Sequence, residues 1–224
     1  MNFLLCLENT FKVYRNIDNT ESMSKYMKNK FLFFGIKTPL RRRILSEICK
    51  DNKNEIQLTP REIAKILFFK PEREFHYCAI EIVSRELKNN YKEEDIHLIK
   101  EFITVNSWWD SVDTISKFIL GTYLLEFPEK TTTTITEFSK SDNLWLNRSA
   151  ILFQLGYKEK TDFDLLKKTC IEHQNSTEFF IQKAIGWALR EYAKTNPEAV
   201  REFVLASQLK PLSQKEALKN LPIA

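Results

Sequence analysis

A chain of 224 residues with only 4 glycines and 7 prolines lacks the turn residues that sandwiches, barrels and parallel sheets consume, so its composition points to helices joined by short connections. Lys and Arg number 34 against 30 Asp and Glu, and a net charge of +4 neither demands nor excludes a polyanionic partner. The length suits one sizeable core or one continuous repeat array, read here as a single domain over residues 1–224.

Cys6, Cys49, Cys78 and Cys170 are too far apart to form a CxxC pair, and His76, His97 and His173 are scattered. No metal site and no cofactor are therefore expected, and the cysteines read as small buried hydrophobes in a reducing compartment. Glu8 interrupts the short apolar start, no basic leader precedes it, and no run of about 18 apolar residues occurs. The expectation is a cytoplasmic protein with no membrane segment.

In chain order, residues 3–17 read as an amphipathic helix, with Phe3, Leu4, Leu7, Phe11 and Tyr14 at helical spacing. A short helix over 22–29 follows, then a turn at Gly35 and a new helix with Thr38 as cap and Pro39 at its first position. Seven basic residues and no acidic one lie between Lys25 and Arg43. That run, with Lys37 and Arg43 in it, is either a solvated helix face or a phosphate contact surface. Thr59-Pro60-Arg61-Glu62 has the form of a capping box. Further helices are predicted over 72–87, 92–104, 109–126, 129–140, 143–155 with Gly156 as C-cap, 162–173, 177–194, from 197, and 213–220. No segment reads as a convincing strand.

The stretch Asn106-Ser107-Trp108-Trp109-Asp110-Ser111-Val112-Asp113 carries the most chemistry. In a helix Trp109 and Asp113 are i and i+4 and share one face. A ring beside a carboxylate suits a positively charged sugar or base; it is equally the pattern of a core tryptophan with helix-capping carboxylates. Ala79-Ile80, Ala150-Ile151 and Ala184-Ile185 echo one another at multiples of about 35 residues, the scale of a two-helix solenoid repeat. Arg148 lies 39 residues after Trp109, and Trp187 lies 39 after Arg148, as a single face of stacked repeats would produce. Lys183, Trp187, Arg190 and Lys194 form one helical stripe, opposite Ile181, Ala184, Ile185, Ala188 and Tyr192. Cations interleaved with an exposed ring are the pattern of nucleic-acid contact.

Four segments carry a resemblance: Tyr26–Ile36, Ser107–Asp113, Asp142–Arg148 and Phe179–Trp187. Together they resemble the AlkD-like DNA alkylation repair glycosylases over nearly the whole chain. The resemblance implies an all-α fold, an α-solenoid of HEAT-like antiparallel helix pairs with a concave DNA-binding face. It implies a monofunctional glycosylase for N3- and N7-alkylated purines (3-methyladenine, 7-methylguanine) in duplex DNA, which attacks the lesion from its sugar side without extruding the base. By the same resemblance Trp109, Asp113 and Trp187 face the damaged nucleotide, Arg148 supports the DNA backbone, and Tyr26 lies near the lesion. Lys37 stands where close relatives carry glutamine and Gly156 where they carry lysine, departures that touch DNA grip and lesion preference.

An alkylated purine is already cationic and a good leaving group, so no general acid is required. A carboxylate near the anomeric carbon stabilises the developing oxocarbenium ion, and indole faces attract the same charge. By helical spacing Asp110 lies near the same face as Asp113, and the residues alone do not exclude it; the resemblance selects Asp113, with Trp109 and Trp187, as the candidate catalytic set. The candidate DNA-binding set is Arg148, Tyr26, Lys37, Arg43, Lys183, Arg190 and Lys194. The expected partner is double-stranded DNA containing alkylated purines, bound by a monomer in the nucleoid. The alternatives are a non-catalytic HEAT-repeat binder of damaged or branched DNA, which does not need Asp113, and a protein-binding adaptor, whose groove would be apolar or acidic.

Overall fold

The computed structural model describes residues 2–219, which fall into two compact units that divide between Tyr91 and Lys92. Asn220, where the last predicted helix was to end, lies outside the described residues. Those residues form helices and connections with one isolated bridge, between Leu32 and Glu72, so the all-α expectation holds.

The first unit contains α1 (Asn2–Val13), α2 (Ile17–Tyr26), α3 (Thr38–Asp51), α4 (Lys53–Leu58), α5 (Pro60–Phe68) and α6 (Arg73–Glu86). Phe3, Leu7 and Phe11 recur every four residues along α1 and are fully buried, which fixes the face it turns to α3. Phe11, Phe34 and Phe75 form a ring cluster with centroids 5.3–5.8 Å apart. Below it the Glu74 carboxylate, fully buried, accepts the backbone N–H groups of Phe34, Gly35 and Ile36 at 3.1, 2.9 and 3.0 Å. Burial raises the Glu74 pKa, and the amide hydrogen bonds oppose that rise. The α2–α3 connection is thereby tied to α6. Gly35 is required there: its φ is +84°, and a Cβ would lie 2.1 Å from the Asn16 carbonyl oxygen.

The second unit contains α7 (Asp95–Thr104), α8 (Trp109–Ile115), α9 (Gly121–Glu126), α10 (Thr131–Ser139), α11 (Leu144–Leu152), α12 (Phe163–Glu172), α13 (Phe179–Tyr192), α14 (Pro197–Ala206) and α15 (Pro211–Ala217). Helix α11 packs against α7, α8, α10 and α13, and α13 against α12, α14 and α15. One apolar cluster, including Ile151, Leu166, Ile181, Leu189, Val200 and Ala217, joins α11 through α15.

Four local expectations are corrected. The helix predicted over 109–126 is interrupted by a π-helical turn at Ser116–Leu120. Ser116 Oγ there lies 2.7 Å from the Val112 carbonyl oxygen and 2.8 Å from Ser149 Oγ, and Gly121 passes so near α11 that a Cβ would sit 2.4 Å from the Phe153 carbonyl oxygen. The Thr59 capping box is not formed, because the Thr59 hydroxyl turns back to the Glu55 carbonyl at 3.3 Å. Helix α3 is capped by Lys37, with Thr38 already inside it. Helix α11 ends at Leu152, four residues before Gly156, whose φ of +89° belongs to the following turn.

Candidate catalytic site and nucleic-acid interface

The adjacent tryptophans part company at the start of α8. Trp108 is its N-cap with extended backbone (φ −157°, ψ 160°), whereas Trp109 is the first helical residue. Trp108 turns into a cluster with Trp145 and Phe180, whose ring centroids lie 5.2–5.7 Å apart. Trp109, half-buried, stands one turn before Asp113 on the same helix face.

Asp113 is held by Arg148 of α11. Arg148 Nε donates to Asp113 Oδ1 at 2.7 Å and Nη2 to Oδ2 at 2.9 Å, the two parallel bonds of a bidentate pair. The third direction of the guanidinium is also used, since Nη1 donates to the Phe180 carbonyl. Phe180 belongs to α13, the helix that carries Trp187, so one arginine links the three helices bearing the predicted residues. The side chain of Arg148 is 6% exposed and that of Asp113 is 15% exposed. Burial pushes the Asp113 pKa up, while the ion pair with Arg148 pulls it down and a nearby Asp110 adds to the rise; the net direction is upward. Each carboxylate oxygen spends one lone pair on Arg148 and keeps another.

The resemblance implied that Arg148 supports the DNA backbone; in the structure its side chain is turned to Asp113 and Phe180. Arg148 is a buried group, and each of its three nitrogens donates within the protein. Trp187 was expected to stand exposed in a basic row; it is partly buried and packs against the apolar cluster of α11–α15. The row itself is largely occupied. Glu216 of α15 accepts Lys183 Nζ at 2.9 Å on one oxygen and Arg190 Nη1 at 2.6 Å on the other. Lys194 pairs with Glu191 at 2.6 Å and remains exposed.

In the first unit, the basic run divides by burial. Arg41 is 3% exposed and meets Glu81 at 2.7 Å, and Arg42 shares the same carboxylate at 3.0 Å. Lys37 and Arg43 are exposed, and Tyr26, the last residue of α2, is 66% exposed. Tyr26 is followed by Lys28 and Asn29, both at φ 57°, which turn the chain sharply toward the connection held by Glu74. Gly156 is exposed, and a Cβ there would lie 3.3 Å from Lys117 Cε.

Sequence reasoning did not find Phe180, Glu216 or Glu74. Phe180 acts through a backbone carbonyl, which no side-chain pattern reports. Glu216 is one acidic residue among 30 Asp and Glu, and nothing in its own short helix marks it. Glu74 lies at the start of an amphipathic helix, where an acidic residue is ordinary.

A family model described as DNA alkylation repair enzyme matches residues 7–221. Among solved structures, a predicted DNA alkylation repair enzyme from Enterococcus faecalis is 36% identical, with a TM-score of 0.84 over 94% of this chain and 98% of that one. Two proteins of Streptococcus mutans share the fold at lower identity. One, smu.31, is 16% identical with a TM-score of 0.60, covering 81% of this chain and 98% of its own. The other, AlkD2, is 15% identical with a TM-score of 0.60, covering 82% and 100%. The search of curated proteins found no match. The family match spans the ion pair and both site tryptophans along with nearly all of the helical framework: the chain belongs to the DNA alkylation repair enzyme family.

Proposed function

We propose that this protein is a monofunctional DNA glycosylase that hydrolyses the N-glycosidic bond of cationic N3- and N7-alkylated purines in duplex DNA. The observation that carries the reading is the Asp113–Arg148 pair: a partly exposed carboxylate held rigidly by two charge-assisted bonds, one turn from Trp109. As the bond from sugar to base breaks, its electrons leave with the alkylated base and positive charge develops on the sugar. The outer lone pairs of Asp113 stabilise that charge without reorganising, because Arg148 has already fixed them. Trp109 and Trp187 present ring faces to the same charge, worth about 0.5–2 kcal/mol each. Water, oriented by Asp113, then adds to the anomeric carbon and gives up its proton to solvent. The cationic base needs no proton donor, so the mechanism does not call for a histidine.

In this reading Arg148 is a positioning residue. Tyr26, Lys37, Arg43 and Lys194 are the exposed members of the candidate DNA-contact set. The protein acts as a monomer on nucleoid DNA in the cytoplasm.

The test is single-turnover release of 7-methylguanine from a methylated duplex. Asp113→Asn keeps the shape and removes the charge. It is expected to slow release by roughly a hundredfold to a thousandfold, the range for loss of one preorganised electrostatic contact, with little change in duplex affinity. Full activity of Asp113→Asn would overturn the carboxylate mechanism. Duplex binding without any base release by the parent protein would leave the non-catalytic binder instead.

A further inference from the structure

Helix α15 lies along one stripe of α13. Ser213 Oγ donates to the Gln182 carbonyl at 3.0 Å. One turn on, Gly186 has no side chain because there is no space for one: a Cβ would lie 2.4 Å from Glu216 Cβ and 2.9 Å from the Ser213 carbonyl oxygen. On either side of this contact Glu216 takes Lys183 at 2.9 Å and Arg190 at 2.6 Å, and Arg190 Nη1 also reaches the Glu216 carbonyl at 3.3 Å. Gln182, Gly186 and Arg190 are successive i, i+4 positions, so the contact runs for two turns. Trp187 follows Gly186 directly and packs on the cluster to which α15 contributes Ala217.

We propose that Glu216 is a positioning residue for Trp187. Its carboxylate is a two-cation clamp that sets the rotation of α13 about its axis and so aims the indole. The clamp also withholds Lys183 and Arg190 from DNA phosphates. The two effects have opposite signs: the clamp favours excision and restrains non-specific binding. This inference rests on the glycosylase reading above.

The experiment compares Glu216→Gln, Trp187→Ala and the double variant. Each is assayed by single-turnover release of 7-methylguanine and by binding to unmodified duplex across a salt series. Glu216→Gln is expected to slow release about tenfold, one factor of ten being about 1.4 kcal/mol. It should bind duplex more tightly, with a salt slope steeper by about one to two units as the two cations become available. In the Trp187→Ala background the slowing should vanish, since the residue being aimed is gone. A purely structural role for Glu216 would weaken binding and release together and would persist in that background; either result overturns the proposal, as does unchanged release. Lys183→Met removes one arm of the clamp and keeps the other. It should slow release by a smaller factor, and full activity would also count against the clamp. If Trp187→Ala alone releases base at the parent rate, the glycosylase reading of Trp187 fails, and that outcome is distinct from failure of the clamp.

Discussion

At Arg148 the chemistry of the guanidinium decides the role. Each of its three nitrogens donates within the protein, to the two oxygens of Asp113 and to the Phe180 carbonyl, and its side chain is 6% exposed. A buried pair broken from one side leaves an uncompensated charge, which costs about 3–5 kcal/mol. Arg148→Lys is the informative variant, because lysine keeps the charge but cannot make two parallel bonds to one carboxylate. On the proposed glycosylase mechanism, release of base requires ionised Asp113. Its folded pKa is raised by burial and held back by Arg148, so release falls as pH drops through that raised value. With the arginine weakened, the fall should begin at higher pH. Single-turnover rates across the acid range measure this. The salt slope of binding to unmodified duplex should stay where it is, because Arg148 is buried and already paired with a carboxylate of the chain.

At the scale of elements, α15 is held to α13 by close approach and by charge. Gly186→Ala places a methyl group against Glu216 Cβ. Overpacking of this kind costs about 1–3 kcal/mol, or a melting temperature lower by several degrees in a protein of this size. Calorimetry of Gly186→Ala beside Ala184→Gly, on the buried face of the same helix, separates the clash from intrinsic helix propensity. The charge contribution has a defined pH signature. Lys183 and Arg190 lower the Glu216 pKa from 4.5 to about 2. A depressed carboxylate contributes stability that is present above its unfolded value and lost as pH falls through the folded one. The melting temperature should therefore drop between pH 4.5 and about 2 by more in the parent than in Glu216→Gln, where that carboxylate no longer titrates.

For the whole molecule, the net charge of +4 understates how unevenly its cations are available. Arg41, Arg42, Arg148, Lys183 and Arg190 all face carboxylates of the chain, while Lys37 and Arg43 are exposed. Phosphate contacts appear as a salt slope of about one unit each. Lys37→Ala and Arg43→Ala are expected to lower the slope of duplex binding by about one unit apiece, and Arg41→Ala and Arg190→Ala are not. A titration of duplex affinity against salt for the four variants checks the division. Equal slopes throughout would mean that burial and pairing are poor guides to which cations meet DNA.

The helical class, nearly every helix and the twin-tryptophan stretch were legible in the sequence, because periodicity and turn-residue scarcity are properties of neighbours along the chain. Trp109 and Asp113 sharing a face follows from the same arithmetic, and the motifs around Tyr26, Trp109, Arg148 and Trp187 were enough to name the family. Three features were decided only by the tertiary structure: that Arg148 closes on Asp113, that Glu216 occupies Lys183 and Arg190, and that Trp187 is half-covered. Each depends on which side chain arrives from 26 to 35 residues away. A charge in sequence carries no record of whether it will meet solvent, phosphate or a carboxylate of its own chain; desolvation and packing choose among these only when the helices are in place.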